Sequence, residues 1–200
     1  MGNLRSVQKA FEKVGCDAII SNDLNIIKNA DKIVLPGVGA FKDGMKHLAK
    51  LNLIEILNEE TIINKKPFLG ICLGMQLLSK ISYENGQTDG LGWIDAEVIK
   101  FDFATLGKKS KIPHVGWNNT NYKNDNKLFK KIPNNSDFYF VHSYHFCTQE
   151  DVVTSTTDYG FDFVSSVNKD NIFAFQFHPE KSQTVGLKLI ENFVNLNEDV

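Results

Sequence analysis

The sequence predicts an α/β fold: a three-layer, mixed and mostly parallel sheet flanked by helices. Three observations carry this prediction. Short apolar runs alternate with helical stretches through about residue 80. Pro67 to Ile71 is an apolar run without alternation, as a parallel strand covered on both faces requires. From Trp93 onward short β-like runs dominate, and a helix closes the chain. The 200 residues suit one domain, 1–200, with a single self-supporting core, and no linker, repeat or low-complexity segment divides them.

Taken in order, Leu4, Val7, Phe11 and Val14 recur at helical spacing, with Gly15 as a stop. Asp17 to Ser21 reads as a short strand. Lys32 to Leu35 reads as another and runs into the turn Pro36-Gly37-Val38-Gly39. Phe41 to Asn64 is helical, broken near Asn52. After the apolar run at Pro67 to Ile71, Leu73 to Lys80 reads as a helix. The β-like runs are Ala96 to Phe101, Phe138 to Val141, Val152 to Thr157, Phe161 to Val167 and Ile172 to Phe177. Thr184 to Leu196 is the closing helix.

Net charge is −2, with no long run of one sign, which does not indicate a general nucleic-acid or anionic-membrane surface and leaves a local basic patch as the alternative. No apolar run reaches membrane-spanning length. The three cysteines, Cys16, Cys72 and Cys147, match no zinc or disulfide framework, and free thiols point to the cytoplasm. Two glycosylation sequons, at Asn118 and Asn134, read as chance matches in an Asn-rich chain. No metal or cofactor is implied.

Gly70-Ile71-Cys72-Leu73-Gly74 has the form G-x-nucleophile-x-G at a strand-to-helix corner. Such a corner pushes the central side chain out of the turn, the glycines remove atoms that would collide, and the next N–H, that of Leu73, points where an oxyanion would form. A buried structural cysteine is the competing reading. Cys16 and Cys147 lack the corner and read as packing residues. Among five histidines, His47 lies in a charged helical stretch, whereas His178 sits at a strand tip in Phe177-His178-Pro179-Glu180. Glu180 is placed to orient its imidazole, which completes a Cys–His–Glu chain. A satisfied core histidine is the alternative. The Pro36–Gly39 turn could cradle an anion with its N–H groups or be a plain tight turn, and it carries neither phosphate-loop pattern.

GICLGMQ, FHPE and PGVG together resemble the class I (triad) glutamine amidotransferases, whose fold is a flavodoxin-like three-layer sheet. FLGICLGMQLL, PHVGWN, FYFVHSY and QFHPEKS resemble in particular the glutaminase-subunit family of imidazole glycerol phosphate synthases. The likeness runs from Gly2 to about Phe193. It implies that Cys72 attacks the side-chain amide of glutamine, that His178 is its base and that Glu180 is the orienting partner. Gly37, Val38 and Leu73 resemble the oxyanion positions. Gly39, Gln76, Ser143, Tyr144 and His145 resemble those that hold the substrate, so that His142 and His145 are structural or binding residues. Trp117 and Tyr139 match positions near a subunit interface, core residues being the alternative. The implied partner is a (β/α)₈-barrel cyclase that receives the ammonia in histidine biosynthesis. A paralogous subunit for surface-sugar amidation and a silent partner-binding scaffold are the alternatives. A thiol peptidase fits the triad but neither PHVGWN nor HPEKS. The family begins with an apolar strand before GNLRS. Here Met1 stands directly before Gly2, so the expectation is a missing first strand, an open sheet edge and a true start upstream, which intact mass from the native host tests.

Overall fold

The computed structural model describes residues 3–105, 107, 110–122 and 126–196. Helix α1 (Leu4–Lys13) turns Val7, Ala10 and Phe11 into the core, as their spacing requires. Helix α2 (Leu24–Asn29) starts where the Asp23 carboxylate accepts from the N–H groups of Asn25 and Ile26. Strand β1 (Ile33–Gly37) passes through the 36–39 turn into α3 (Phe41–Lys50). The expected break at Asn52 is present, with φ 54°, before α4 (Leu53–Asn58), which ends in one π-helical turn over Glu59–Ile63. Strand β2 (Phe68–Cys72) is buried at every position and runs directly into α5 (Leu73–Gln76).

The second half supplies β3 (Ile81–Ser82), β4 (Thr88–Asp89), β5 (Ala96–Lys100), β6 (His114–Tyr122), β7 (Ser136–His142), β8 (Tyr144–Thr148), β9 (Val153–Asp158), β10 (Asp162–Lys169) and β11 (Ile172–Phe175), then α6 (Gln183–Val194). Among the described residues the main sheet runs β1-β2-β11-β10-β8-β5-β3-β4, with β9 branching from β10 to β6 and β7. Alternation in the central strands divides the interior. Leu69, Ile71, Phe173 and Phe175 face a core closed by α1 and α6. Phe68, Ile172 and Ala174 face a second core closed by α3, α4 and α5. The helix–sheet–helix layering therefore holds. The parallel share is smaller than expected: β1–β2, β2–β11 and β3–β5 are parallel and the other ladders antiparallel. From β7 to β11 the connecting turns are one to four residues long and leave no room for the crossovers that parallel neighbours need.

Several elements differ from the sequence reading. Asp17–Ser21 joins no ladder; Ile19 is 66% exposed, and the Ala18 carbonyl accepts from the Gln8 side chain. The expected open edge lies at strand β1, which ends the sheet path and among the described residues pairs with β2 alone; Met1 and Gly2 lie outside the described residues. The helix expected over Leu73–Lys80 stops at Gln76 because the carbonyls of Leu77, Leu78 and Ser79 accept from Leu91, Ile94 and Gly92. Strands β6 and β8 were not expected; β6 holds Gly116 and three asparagines and buries one face only, so it reads as loop.

The two corner glycines are required by close approach. A Cβ on Gly74 would stand 1.8 Å from Leu35 O, and one on Gly70 would stand 2.8 Å from Gly74 O. Helix α5 therefore rests directly on the β1 backbone. Gly74→Ala is expected to lower the unfolding free energy by about 3 kcal/mol, read by urea denaturation, because backbone rather than a flexible side chain must move. A loss below about 0.5 kcal/mol would mean that this contact is soft.

Candidate active site

Cys72 is the last residue of β2 and the cap of α5, with φ 54° and ψ −108°. A non-glycine residue pays for such a backbone in strain and holds it only where the surroundings enforce it. Here the β1–β2 ladder, which pairs Gly37 with Cys72, enforces it from one side, and the Gly74–Leu35 contact from below. The thiol is buried, and Gln176 Nε2 lies 3.8 Å from its Sγ.

His178 arrives from over a hundred residues away through the neighbouring strand. Parallel pairing of β2 with β11 sets Ile71 opposite Phe175, so the next residues of both strands leave the sheet at the same edge. The main chain of His178 is then bracketed. Its N–H donates to Tyr139 O (2.8 Å), its carbonyl accepts from Ser182 Oγ (2.6 Å), and Ser182 Oγ accepts from the Tyr139 N–H (3.0 Å). The imidazole Nδ1 lies 2.8 Å from Glu180 Oε1, with both side chains buried. Asn3 Nδ2 donates to the same carboxylate oxygen. His178 Nε2 has no hydrogen-bond partner among the described residues. Burial pushes the imidazole pKa down, but the Cys72 thiol and the Glu180 carboxylate push it up further, to about 9. Cysteine, histidine and glutamate thus come together, with the imidazole holding a proton at neutral pH.

The other expected positions surround this group. Gly37 is buried beside Cys72, Val38 is half-buried, and Gly39 takes φ +107°, a conformation suited to glycine. Leu73 follows the thiol at the start of α5. Gln76 Nε2 donates to Tyr144 O and to Gln176 Oε1, both at 3.0 Å, which brings α5, the β7–β8 corner and the thiol into one polar network. Ser143 is that corner. His145 is buried with its ring stacked on Phe101 (4.8 Å), so only its backbone is available to a ligand. Burial lowers the pKa of His145, and brings His114 to about 4 and His142 to about 3. His47 is exposed on α3. Cys16 packs against the first core, whereas Cys147 is exposed, contrary to its expected packing role.

Trp117 and Tyr139 pair across the β6–β7 ladder, ring to ring at 5.9 Å, and Lys181 Nζ lies 5.4 Å above the Tyr139 ring. Trp117 is 48% exposed, so it is no core residue. An open cleft of about 910 Å³ between Lys100–Ala104 and Ser110–Ile112 is lined by none of the expected site residues. Among the described residues no His, Cys, Asp or Glu cluster could hold a metal ion. Gln176, Asn3 and Ser182 escaped the sequence reading. Gln176 stands two residues before His178 in an extended run, which places both on one side, and that spacing was the available signal.

Residues 1–196 match the family described as "Glutamine amidotransferase class-I". The imidazole glycerol phosphate synthase subunit HisH 1 of Campylobacter jejuni (strain RM1221) is 50% identical over 195 residues, covering 98% of this chain and 96% of that one. The HisH subunit of Aquifex aeolicus (strain VF5) is 51% identical over 195 residues, covering 96% and 91%. In fold, the chain resembles a crystal structure of a glutamine amidotransferase (TM-score 0.72, 19% identity, 98% and 94% covered). It also resembles the glutaminase domain of Trypanosoma brucei CTPS with bound acivicin (TM-score 0.64, 16% identity, 96% and 86% covered). With half its residues shared over nearly its full length, and with the cysteine corner placed beside a buried histidine–glutamate pair, the chain belongs to the class-I glutamine amidotransferases and, within them, to the HisH subunit family of imidazole glycerol phosphate synthases.

Proposed function

We propose that the chain, as one domain over residues 1–200, hydrolyses L-glutamine to L-glutamate and ammonia through a thioester on Cys72. The observation that carries this reading is the buried His178–Glu180 pair beside the thiol at the β2 corner. With the imidazole protonated, Cys72 attacks the side-chain carbonyl carbon as its thiolate. The S–C bond forms, and the negative charge moves to the carbonyl oxygen, where the Leu73 N–H and the 37–39 turn (Gly37, Val38) receive it once a turn peptide rotates. Collapse breaks the C–N bond, the His178 proton goes to the leaving amine, and ammonia departs. Water then gives its proton to His178 and adds to the thioester; breaking the S–C bond releases glutamate and restores the starting pair. Glu180 fixes the ring tautomer. Gly39, Gln76 and the backbone of Ser143, Tyr144 and His145 hold the α-amino and α-carboxylate ends of the substrate.

Ammonia loses its nucleophilicity when water protonates it, which favours delivery through a dry contact with an acceptor enzyme. The acceptor in this reading is a (β/α)₈-barrel cyclase subunit that makes imidazole glycerol phosphate and aminoimidazole carboxamide ribotide for histidine biosynthesis, docked on the Trp117–Tyr139 face, in the cytoplasm. The relatives at about 50% identity are imidazole glycerol phosphate synthase subunits, which favours this acceptor over a sugar-amidating partner. The intact thiol, imidazole and carboxylate disfavour a silent scaffold. No helix among the described residues is long and apolar enough to cross a membrane.

Cys72→Ala is expected to reduce glutaminase turnover by roughly 10³-fold or more, measured as glutamate formed; activity near that of the unaltered chain would remove the thiol from the chemistry. Trp117→Ala should weaken cyclase binding by about tenfold or more in titration calorimetry, since exposed aromatics are common anchors; unchanged affinity would move the docking face elsewhere. The pKa of His178 is raised from 6.5 to about 9, so the stability it contributes is fully present below pH 6.5 and is lost as pH rises through about 9. Urea unfolding from about pH 6 to about pH 10 should show this decline, and Glu180→Gln should flatten it. An equal slope in both proteins would deny the coupling of ring and carboxylate.

A further inference from the structure

Two buried histidines take no part in this chemistry. His142 closes β7, and His114 opens β6 directly across the ladder. Their partners fix both tautomers. Tyr144 O can only accept, so the 2.8 Å contact puts a proton on His142 Nδ1. Burial keeps the ring neutral, which leaves its Nε2 as an acceptor, 3.1 Å from His114 Nδ1. His114 therefore donates, and its own Nε2, also neutral through burial, accepts from Asn118 Nδ2 at 3.3 Å. Asn118 is anchored in turn, donating to Asp158 O at 2.8 Å. One directed chain runs from Asn118 through His114 and His142 to the Tyr144 carbonyl.

That carbonyl also accepts from Gln76 Nε2, so both of its lone pairs are used. Two donors from different elements fix the plane of the Tyr144–His145 peptide. Strand β6 carries His114 and Asn118 inward, whereas Val115 and Trp117 alternate outward, 54% and 48% exposed. We propose that the His114–His142 dyad is a positioning element, which holds the Tyr144–His145 peptide in the orientation that glutamine requires and ties it to the strand behind the Trp117 face. The inference rests on the glutamine pocket proposed above.

The test uses the full chain with L-glutamine. The first readout is the glutamine concentration that half-protects Cys72 from iodoacetamide, followed on the Cys72 peptide by mass spectrometry. The second is the KM and kcat of glutamine hydrolysis, alone and with the cyclase subunit. His142→Phe keeps a ring and removes both polar atoms, whereas His142→Asn keeps a donor near the Nδ1 position. His142→Phe is expected to raise KM and the half-protecting concentration roughly tenfold, as loss of a buried hydrogen bond does, with kcat changed less than about threefold. Alkylation without glutamine should be unchanged, and His142→Asn should recover most of the loss. Asn118→Ala, at the outer end, should shift both values by about threefold. Values for His142→Phe within about twofold of the unaltered chain, or equal impairment of the Asn and Phe variants, would overturn the proposal. Where His142→Phe does not fold, Asn118→Ala decides: no shift overturns it. Failure of the pocket itself reads differently, because glutamine would then give no protection of Cys72 in the unaltered chain.

Discussion

The parallel register between β2 and β11 is the constraint on which the site depends. Ile71 opposite Phe175 puts Cys72 and Gln176 at the same level as they leave the sheet, and His178 follows within reach of the thiol. A slip of one residue would send Gln176 and His178 to the other face and exchange the two cores, since successive strand residues point to opposite sides. The large side chains guard against that slip. Leu69, Ile71, Phe173 and Phe175 fill one core, and Phe68 and Ile172 the other, so misregistration would bury none of them well. Packing in the interior thereby sets distances at the rim.

At that rim the fold does something costly. It removes an imidazole and a carboxylate from water, and burial alone would drive the imidazole neutral. The opposed effects on His178 show how the charge survives: desolvation lowers the pKa, and the thiol and Glu180 raise it by more. Glu180 is itself steadied by Asn3, from the other end of the chain, and the His178 main chain is held by Tyr139 and Ser182. Each constraint comes from a different element. Losing one would leave the pair assembled but loose, and proton transfer depends on close, aligned geometry.

Much of this was legible in the residues. The Gly70–Gly74 pattern predicts a strained corner because only glycines tolerate backbone at 1.8–2.8 Å from where a Cβ would be. The Phe177–Glu180 run predicts a strand tip with an oriented imidazole. Asp17–Ser21 failed because alternation and β-propensity describe a strand's side chains, not its partner, and no neighbouring ladder accepts it. Strand β6 was missed for the opposite reason: its asparagines look like loop, yet Asn118 faces inward to a histidine and its strand gains a ladder on both sides. Asn3 and Ser182 act through main-chain geometry and long-range contact, which no local pattern encodes.

The same two strands that show an aromatic face outward hold the site from behind. Tyr139 pairs its ring with Trp117 on the surface, and its own peptide groups bond His178 and Ser182. A body pressing on the Trp117–Tyr139 face would bear on the strand that holds the His178 main chain, through one hydrogen bond and no intervening loop. Packed β ladders respond to load as units, because shifting one residue breaks paired hydrogen bonds on both sides. One strand thus does both: β7 shows the Tyr139 ring on its outer face and holds the His178 main chain at its edge.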